Sequence, residues 1–320
     1  MSDELQDGYE VVVVGGGAAG LNGALMLARS RRSVLVLDGG QPRNAPAQAV
    51  HGLFARDGVP PAELLATGRD EVRRYGGQVV EAQVEDVRPD DGSPVPAFVV
   101  RLVGGEEVGA RRVLVATGAV DRFPEIPGLA QRWGRDVVHC PYCHGWEVRD
   151  RVIGVLATGP AAMHQVLLFR QLSEHVVLLA NGLDLPSDEA AEHCAALGVR
   201  VVHAPVAQVL VDDDALVGVR LADGSRVELG AVAVASRVEA RADFLAGVGV
   251  KVVEHESGLF SHVPSTDAFG RTAVPGLWVA GNVTEPMAQV GASAAAGAMA
   301  GAQINMELVM EGVQRLRMAP

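Results

Sequence analysis

The stretch from Tyr9 to Asp38 constrains this chain more than any other. Tyr9 to Val14 reads Tyr-Glu-Val-Val-Val-Val. A β-branched run of this length fits a strand buried on both faces. It leads into Gly15-Gly16-Gly17-Ala18-Ala19-Gly20, then a segment with Leu21, Ala24, Leu25 and Ala28 at helical spacing. Ser33 to Leu37 is strand-like again and ends at Asp38. A strand, a Gly-x-Gly-x-x-Gly turn, a helix and a second strand closed by an acid make one dinucleotide-binding unit. Gly15 permits the turn, Gly17 lets the backbone approach a pyrophosphate, and Gly20 lets helix and strand pack closely. Gly16, Ala18 and Ala19 complete a turn whose free N–H groups and helix dipole favour an anion. Asp38 would accept hydrogen bonds from a ribose.

A second feature carries redox chemistry. His139 to Glu147 reads His-Cys-Pro-Tyr-Cys-His-Gly-Trp-Glu. A Cys-x-x-Cys pair closes into a reducible disulfide or serves as a dithiol, and the ionised thiol is the one that attacks. His139 precedes Cys140 and His144 follows Cys143, so each sulfur has an imidazole beside it in sequence to take or return a proton. A zinc site would need a second ligand pair, and Cys194 is the only other cysteine, so no metal is expected.

Composition narrows the partners. A formal net charge of -12 argues against nucleic acid, which calls for a basic face. Met1 to Gly8 is acidic and polar, unlike a secretion signal, and three cysteines do not make a secreted disulfide scaffold. A cytoplasmic protein is expected. Pro286 to Met306 lacks charge, but it is mostly Ala and Gly and contains Gln289, Ser293, Gln303 and Asn305. That composition predicts a buried helix and no membrane span.

The remaining segments place these motifs. Gly39 to Gly58 is a long loop whose Gln41, Arg43, Asn44 and His51 are candidate cofactor contacts. Pro60 to Tyr75 is helical by pattern. Gln78 to Val84 and Phe98 to Leu102 are strand-like, with Val84 a further candidate contact. Arg112 to Ala116 is a buried strand ending in Ala116-Thr117-Gly118, where small side chains let the backbone pass close to a bound group. Val120 to Gly128 is a linker. Val152 to Leu156, a turn at Ala157 to Ala162, a helix at Met163 to Leu172 and a strand at Val176 to Leu179 start a second βαβ unit. Short strands follow at Val199 to His203, Ala207 to Val211, Val217 to Leu221 and Val227 to Glu228. Ala231 to Ser236, followed by Arg237 to Asp243, reads as the return linker. Gly276 to Asn282 is a strand ending in Gly281-Asn282 before the Ala/Gly helix.

In the order Gly15-x-Gly17-x-x-Gly20, Asp38, Ala116-Thr117-Gly118, Cys140-Pro-Tyr-Cys143, a second βαβ unit and Gly281-Asn282, the whole chain resembles the low-molecular-weight thioredoxin reductases. The resemblance implies an α/β fold of two Rossmann-like, doubly wound domains and a homodimer. Residues 1–120 and 241–320 would form a split FAD domain, and 121–240 an inserted smaller domain carrying the cysteines. Asn282 would bond a ribityl hydroxyl, and the helix start near Gln289 and Val290 would face a ring oxygen. Cys143 would be the sulfur beside the flavin, and Cys140 the one that meets substrate.

Three departures redirect this expectation. The second turn reads Ala157-Thr158-Gly159-Pro160-Ala161-Ala162, without the first Gly and with a proline, which weakens a pyrophosphate cradle. Leu179 to Asp184 holds no Arg or Lys to pair with the 2′-phosphate of NADPH. His144 and Asn282 stand where thioredoxin reductases carry Asp. The segment Cys140-Pro-Tyr-Cys143-His144-Gly145 is similar to that of the dithiol oxidases that close the disulfides of holomycin and gliotoxin. This implies a small-molecule dithiol substrate, FAD as cofactor without NADPH, O2 as acceptor giving H2O2, and His144 as base with His139 second. The rival expectations are a disulfide reductase fed by NADPH or ferredoxin, and a non-catalytic redox-sensing flavoprotein.

Overall fold

The computed structural model describes residues 5–93 and 97–318. The chain forms two compact units. The first takes residues up to Ala45, Pro61–Val120 and the chain from Val238 on; the second takes Pro46–Pro60 and Asp121–Arg237.

The first unit opens with β1 (Gly8–Val14), α1 (Ala18–Arg29), β2 (Val34–Asp38), α2 (Pro61–Arg74), β3 (Gln78–Glu81), β4 (Val84–Pro89), β5 (Phe98–Leu102) and β6 (Glu107–Val115). After β7 (Ala119–Arg122), the second unit contributes β8 (Val137–Val138), α3 (Pro141–His144), β9 (Ile153–Leu156), α4 (Ala162–Phe169), β10 (Val176–Leu179), α5 (Asp188–Ala196), β11 (Arg200–Val202), β12 (Val206–Asp212), β13 (Ala215–Leu221), β14 (Arg226–Glu228) and β15 (Ala231–Val234). The chain returns through β16 (Arg237–Ala240), β17 (Val253–Glu254), β18 (Ser261–His262), β19 (Leu277–Val279) and α6 (Val290–Met318).

In the first unit the sheet order is β3-β2-β1-β6-β5-β4, with β19 on β6. β1 lies between β2 and β6 and is parallel to both, so Val11 to Val14 are buried on each face. That is why the strand is a valine run and not an alternating one. β6 is longer than the sequence indicated because its first half pairs antiparallel with β5, from Phe98↔Ala110 to Arg101↔Glu107. The strand expected over Gln78 to Val84 is two strands. Ala82 N donates to Asp38 O at 3.0 Å, and Val103 N donates to Gln83 O at 2.9 Å. The chain changes partner there, from parallel β2 to antiparallel β5.

α6 packs along α1, and glycines set their separation. A Cβ on Gly297 would lie 1.9 Å from Ala19 O, and one on Gly301 would lie 2.6 Å from Gly23 O. The Ala/Gly composition near Pro286 to Met306 therefore reflects helix backbones in close contact. Ala19 faces Gly297 and Gly23 faces Gly301, so the helices run parallel. The α6 amino terminus projects about 9 Å beyond that of α1 at 1.5 Å per residue. Among the described residues, no helix is long and apolar enough to cross a membrane.

The second unit holds a parallel sheet ordered β11-β10-β9-β15-β8 and an antiparallel sheet β12-β13-β14. β15 corrects the sequence reading of Ala231 to Ser236 as linker. Ala231 to Val234 are all buried, and the strand lies between β9 and β8. Four small apolar residues suffice for a strand covered on both faces, but they carry no periodic signature. Both units are thus α/β and Rossmann-like.

Candidate active site

The first half of the candidate site is the turn between β1 and α1. Gly15 has φ +111, and a Cβ there would stand 2.3 Å from Ala116 O. Only glycine suits that backbone beside β6. A Cβ on Gly20 would stand 1.9 Å from Gly15 O, so helix and turn pack without a side chain between them. A Cβ on Gly16 would meet the Asp38 carboxyl at 2.3 Å, which brings the acid of β2 against the turn. Gly17 differs from these. It caps α1 without a side-chain bond, and a Cβ on it would meet nothing within 4 Å. Ala18 and Ala19 open the helix from that unobstructed end. A helix start with open space in front of it and an acid at its side fits a dinucleotide pyrophosphate and ribose.

The other predicted cofactor residues of this unit lie as follows. Asp38 accepts from Gly40 N at 2.9 Å and pairs with Arg69 Nη1 at 3.3 Å. Arg69, one of several arginines in α2, carries no local signal of this pairing. Gln41 O accepts from Arg241 at 2.6 Å, and Arg43 donates to Pro286 O at 2.8 Å, so both residues tie the loop to the returning chain. Asn44 lies in a turn at half exposure, and Val84 opens β4. Thr117 Oγ1 donates to Arg241 O at 2.6 Å, and Gly118, after Ala116 and Thr117, turns the chain at φ +71. Asn282 follows Gly281, and its Nδ2 donates to Glu285 O, Pro286 O and Ala288 O at 3.0, 3.2 and 2.9 Å. The amide nitrogen is spent on its own turn, which leaves the amide oxygen as an acceptor for a ligand hydroxyl. Gln289 O accepts from Ser293 N at 2.8 Å, so Gln289 and Val290 form the start of α6.

The turn between β9 and α4 has the same topology but different chemistry. Ala162, Met163 and His164 N–H donate to Gly159, Pro160 and Ala161 O at 3.1, 3.2 and 3.1 Å. These bonds open α4 as Leu21 N to Gly17 O at 2.9 Å opens α1, but Pro160 has no N–H to offer a phosphate. After β10, Asn181 Oδ1 accepts from Val206 N at 2.9 Å and Gly182 N donates to His203 O at 2.9 Å. That loop closes on itself, without a cation. The missing N–H of Pro160 and the lack of Arg or Lys from Leu179 to Asp184 weaken the fit to an NADPH pyrophosphate and 2′-phosphate.

The cysteine segment starts at the carboxy end of β8. Asp136, just before β8, is held by Arg132 and accepts from Leu216 N at 3.0 Å, which fixes the strand's origin. His139 Nδ1 lies 3.1 Å from Val234 O. A carbonyl only accepts, so Nδ1 carries the proton. Gln165 donates to His139 O at 2.9 Å from α4. Cys140 then precedes the single turn α3, in which Cys143 N and His144 N both donate to Cys140 O, at 3.2 and 3.1 Å. Gly145 is required next: a Cβ there would stand 2.2 Å from Pro141 O. Both cysteines are partly buried, while Tyr142 and Trp146 are exposed.

His144 is half-buried, with its Nε2 turned inward. Its Nε2 has no hydrogen-bond partner among the described residues. Burial pushes its pKa below the ordinary histidine value; Glu147 pulls it up, and His51 and His139 push it down. It is therefore neutral at pH 7 and able to accept a proton. His51, predicted as a cofactor contact, packs with the second unit, where its Nε2 stands 3.4 Å from Glu147 Oε1 and its Nδ1 3.5 Å from Asp57 Oδ1. Sequence reasoning assigned no role to Glu147 or Asp57. Glu147 was detectable as the acid three residues after His144; Asp57 carries no such signal. Cys194 is buried in α5, and burial raises its thiol pKa.

Two Rossmann-like units, one with an open dinucleotide cradle and one with a Cys-x-x-Cys turn, define a disulfide oxidoreductase architecture. The chain belongs to the pyridine nucleotide-disulphide oxidoreductase family, whose model matches residues 9–302. Thioredoxin reductase tcpT of Claviceps purpurea is 30% identical over 280 residues, 85% of this chain and 86% of that one. Thioredoxin reductase sirT of Leptosphaeria maculans is 29% identical over 315 residues, 93% of this chain and 94% of that one. The crystal structure of HlmI superimposes with a TM-score of 0.90 at 44% identity, covering 98% of this chain and 96% of the other. An oxidoreductase from Agrobacterium tumefaciens gives 0.87 at 33% identity, covering 94% and 99%.

Proposed function

We propose that the protein is an FAD-dependent oxidase of small-molecule dithiols, with O2 as acceptor and H2O2 as product. The observation that carries this reading is the contrast between the two turns: a glycine-built cradle after β1 with Asp38 against it, and a turn after β9 with Ala157 for the first glycine, Pro160 without an N–H, and no Arg or Lys from Leu179 to Asp184. The residues of the first unit that would hold FAD are Gly15 to Gly20, Asp38, Ala116 to Gly118, Asn282 and the α6 start at Gln289 and Val290. A thiolate of the substrate attacks Cys140 Sγ in the Cys140–Cys143 disulfide, and Cys143 leaves as thiolate. The substrate's second thiol, deprotonated, then attacks its own sulfur bound to Cys140. A cyclic disulfide departs and the enzyme is left as a dithiol. His144 accepts the thiol proton. Bound FAD supplies the two-electron acceptor that restores the Cys140–Cys143 disulfide. Tyr142 and Trp146, exposed on the cysteine segment, offer apolar surface to a small organic substrate. The chain is proposed to act as a homodimer; Met306, Val309, Met310, Val313 and Leu316, exposed along one side of α6, support this.

Aerobic turnover tests the reading. Dithiothreitol should be oxidised with one H2O2 formed per disulfide, and Cys140→Ser should abolish it. Dithiol oxidation without peroxide would remove O2 as acceptor. Undiminished turnover by the Cys140→Ser variant would remove the cysteine pair. The names of tcpT and sirT favour a second reading, a thioredoxin reductase-like disulfide reductase; its donor would be NADPH or ferredoxin. Rapid flavin bleaching by either donor would establish it.

A further inference from the structure

Pro46–Pro60 connects β2 to α2, both in the first unit, yet it packs with the second. The excursion has its own internal structure. Val50 and Val59 form an antiparallel bridge, with Val50 N to Val59 O at 2.8 Å, and Gly58 N donates to Val50 O at 2.8 Å. At its anchored end, a Cβ on Gly134 would stand 2.8 Å from Pro46 Cβ. Within it Asp57 Oδ1 accepts from Gly52 N at 2.9 Å, which aims the carboxylate at His51 Nδ1, 3.5 Å away. The other nitrogen of the same ring stands 3.4 Å from Glu147 Oε1. The loop thus presents one imidazole with a carboxylate at each nitrogen.

Glu147 is also the carboxylate that acts on His144, three residues earlier in the chain. A carboxylate bonded to His144 would favour its charged form, which has two N–H groups and cannot accept a proton. The structure has His144 Nε2 buried and unpartnered among the described residues, with Glu147 turned to the loop. The other groups acting on His144 are His51 itself and His139, at the end of β8; both oppose its protonation. The thiols of Cys140 and Cys143 share its turn.

We propose that His51 is a positioning residue of the dithiol site: clamped between Asp57 and Glu147, it occupies the carboxylate that would otherwise charge His144, and so leaves that imidazole free to take the substrate thiol's proton. The proposal rests on the reading of His144 as base. The proton passes from the substrate S–H to a neutral ring nitrogen. The resulting thiolate forms the new S–S bond to Cys140 as the bond to Cys143 breaks.

The test uses the FAD-loaded protein. Flavin reduction by dithiothreitol is followed without oxygen from about pH 5 to about pH 9, and the His144 ring is titrated by NMR in the same variants. His51→Gln should move the acidic limb and the ring titration to higher pH by about half a unit, about threefold in rate on the limb. Asp57→Asn should move them the same way by less, and Glu147→Gln should move them to lower pH. A purely structural role for the loop would slow all three variants without opposed shifts. Shifts in one direction for all three, or none, overturn the proposal. If dithiothreitol fails to reduce the wild-type flavin, the oxidase reading falls, while the ring titration still decides whether His51 controls His144.

Discussion

Two turns of this chain share a topology and differ at the atoms that face a ligand. After β1, the α1 helix opens at Gly17 onto empty space, with Asp38 at its side. After β9, the turn before α4 has Ala157 in place of the first glycine and Pro160, which carries no N–H. Strand, turn, helix and parallel strand are kept in both, because packing between strand and helix needs only small residues and apolar faces. Anion binding needs more: free N–H groups, room in front of them and a charge partner. The second unit keeps the Rossmann scaffold with one N–H fewer and no Arg or Lys from Leu179 to Asp184, and the cysteine pair lies at the end of β8 in its parallel sheet. On this account, one turn holds the electron acceptor and the other no longer holds an electron donor.

Substitutions at the cysteines and at the two turns should separate their roles. Cys140→Ser or Cys143→Ser should cut dithiol turnover about a thousandfold or more, as loss of a nucleophile does, while FAD stays bound. Absorbance at the flavin band beside peroxide production separates the two. His144→Gln should cost about a hundredfold and flatten the acidic limb of the rate profile. The sign follows from the depressed pKa: the base is lost as pH falls through a value below the ordinary histidine one. Gly17→Ala should fold normally, since its Cβ meets no protein atom, and should weaken FAD by about tenfold. Gly20→Ala, whose Cβ would meet Gly15 O at 1.9 Å, should instead lower the yield of folded holoprotein, as gel filtration with flavin absorbance would show. The smallest effect belongs to repair of the second turn. Ala157→Gly with Pro160→Ala and Asn181→Arg should raise NADPH-driven flavin reduction by about tenfold at most from a low base, because one new cation and one freed N–H rebuild only part of the site.

The first βαβ unit and the sheet around it were legible because valine runs and fixed-offset glycines are local signals. Phe98 to Leu102 and Val176 to Leu179 are strands at those bounds. Ala231 to Val234 was not legible: a strand made of Ala and Val in alternation, buried on both faces, looks like a linker when flanked by short connections. The β3/β4 break at Ala82 was invisible because a change of hydrogen-bonding partner leaves no trace in residue type. In the candidate site, Cys140, Cys143 and the two histidines stood out by adjacency. The loop residues did not. Gln41, Arg43, Asn44 and His51 look alike as polar residues of one Gly/Pro-rich stretch, yet His51 lies in the other unit. Which residues of a long loop fold toward which core is decided by tertiary packing.

The central claim is that electrons enter through Cys140 and Cys143 from a dithiol and not from a nicotinamide. Anaerobic flavin spectroscopy with NADPH, NADH and dithiothreitol in turn tests it directly. The account predicts that neither nucleotide bleaches the flavin, that dithiothreitol does, and that air restores the colour with H2O2. Rapid bleaching by NADPH would contradict it.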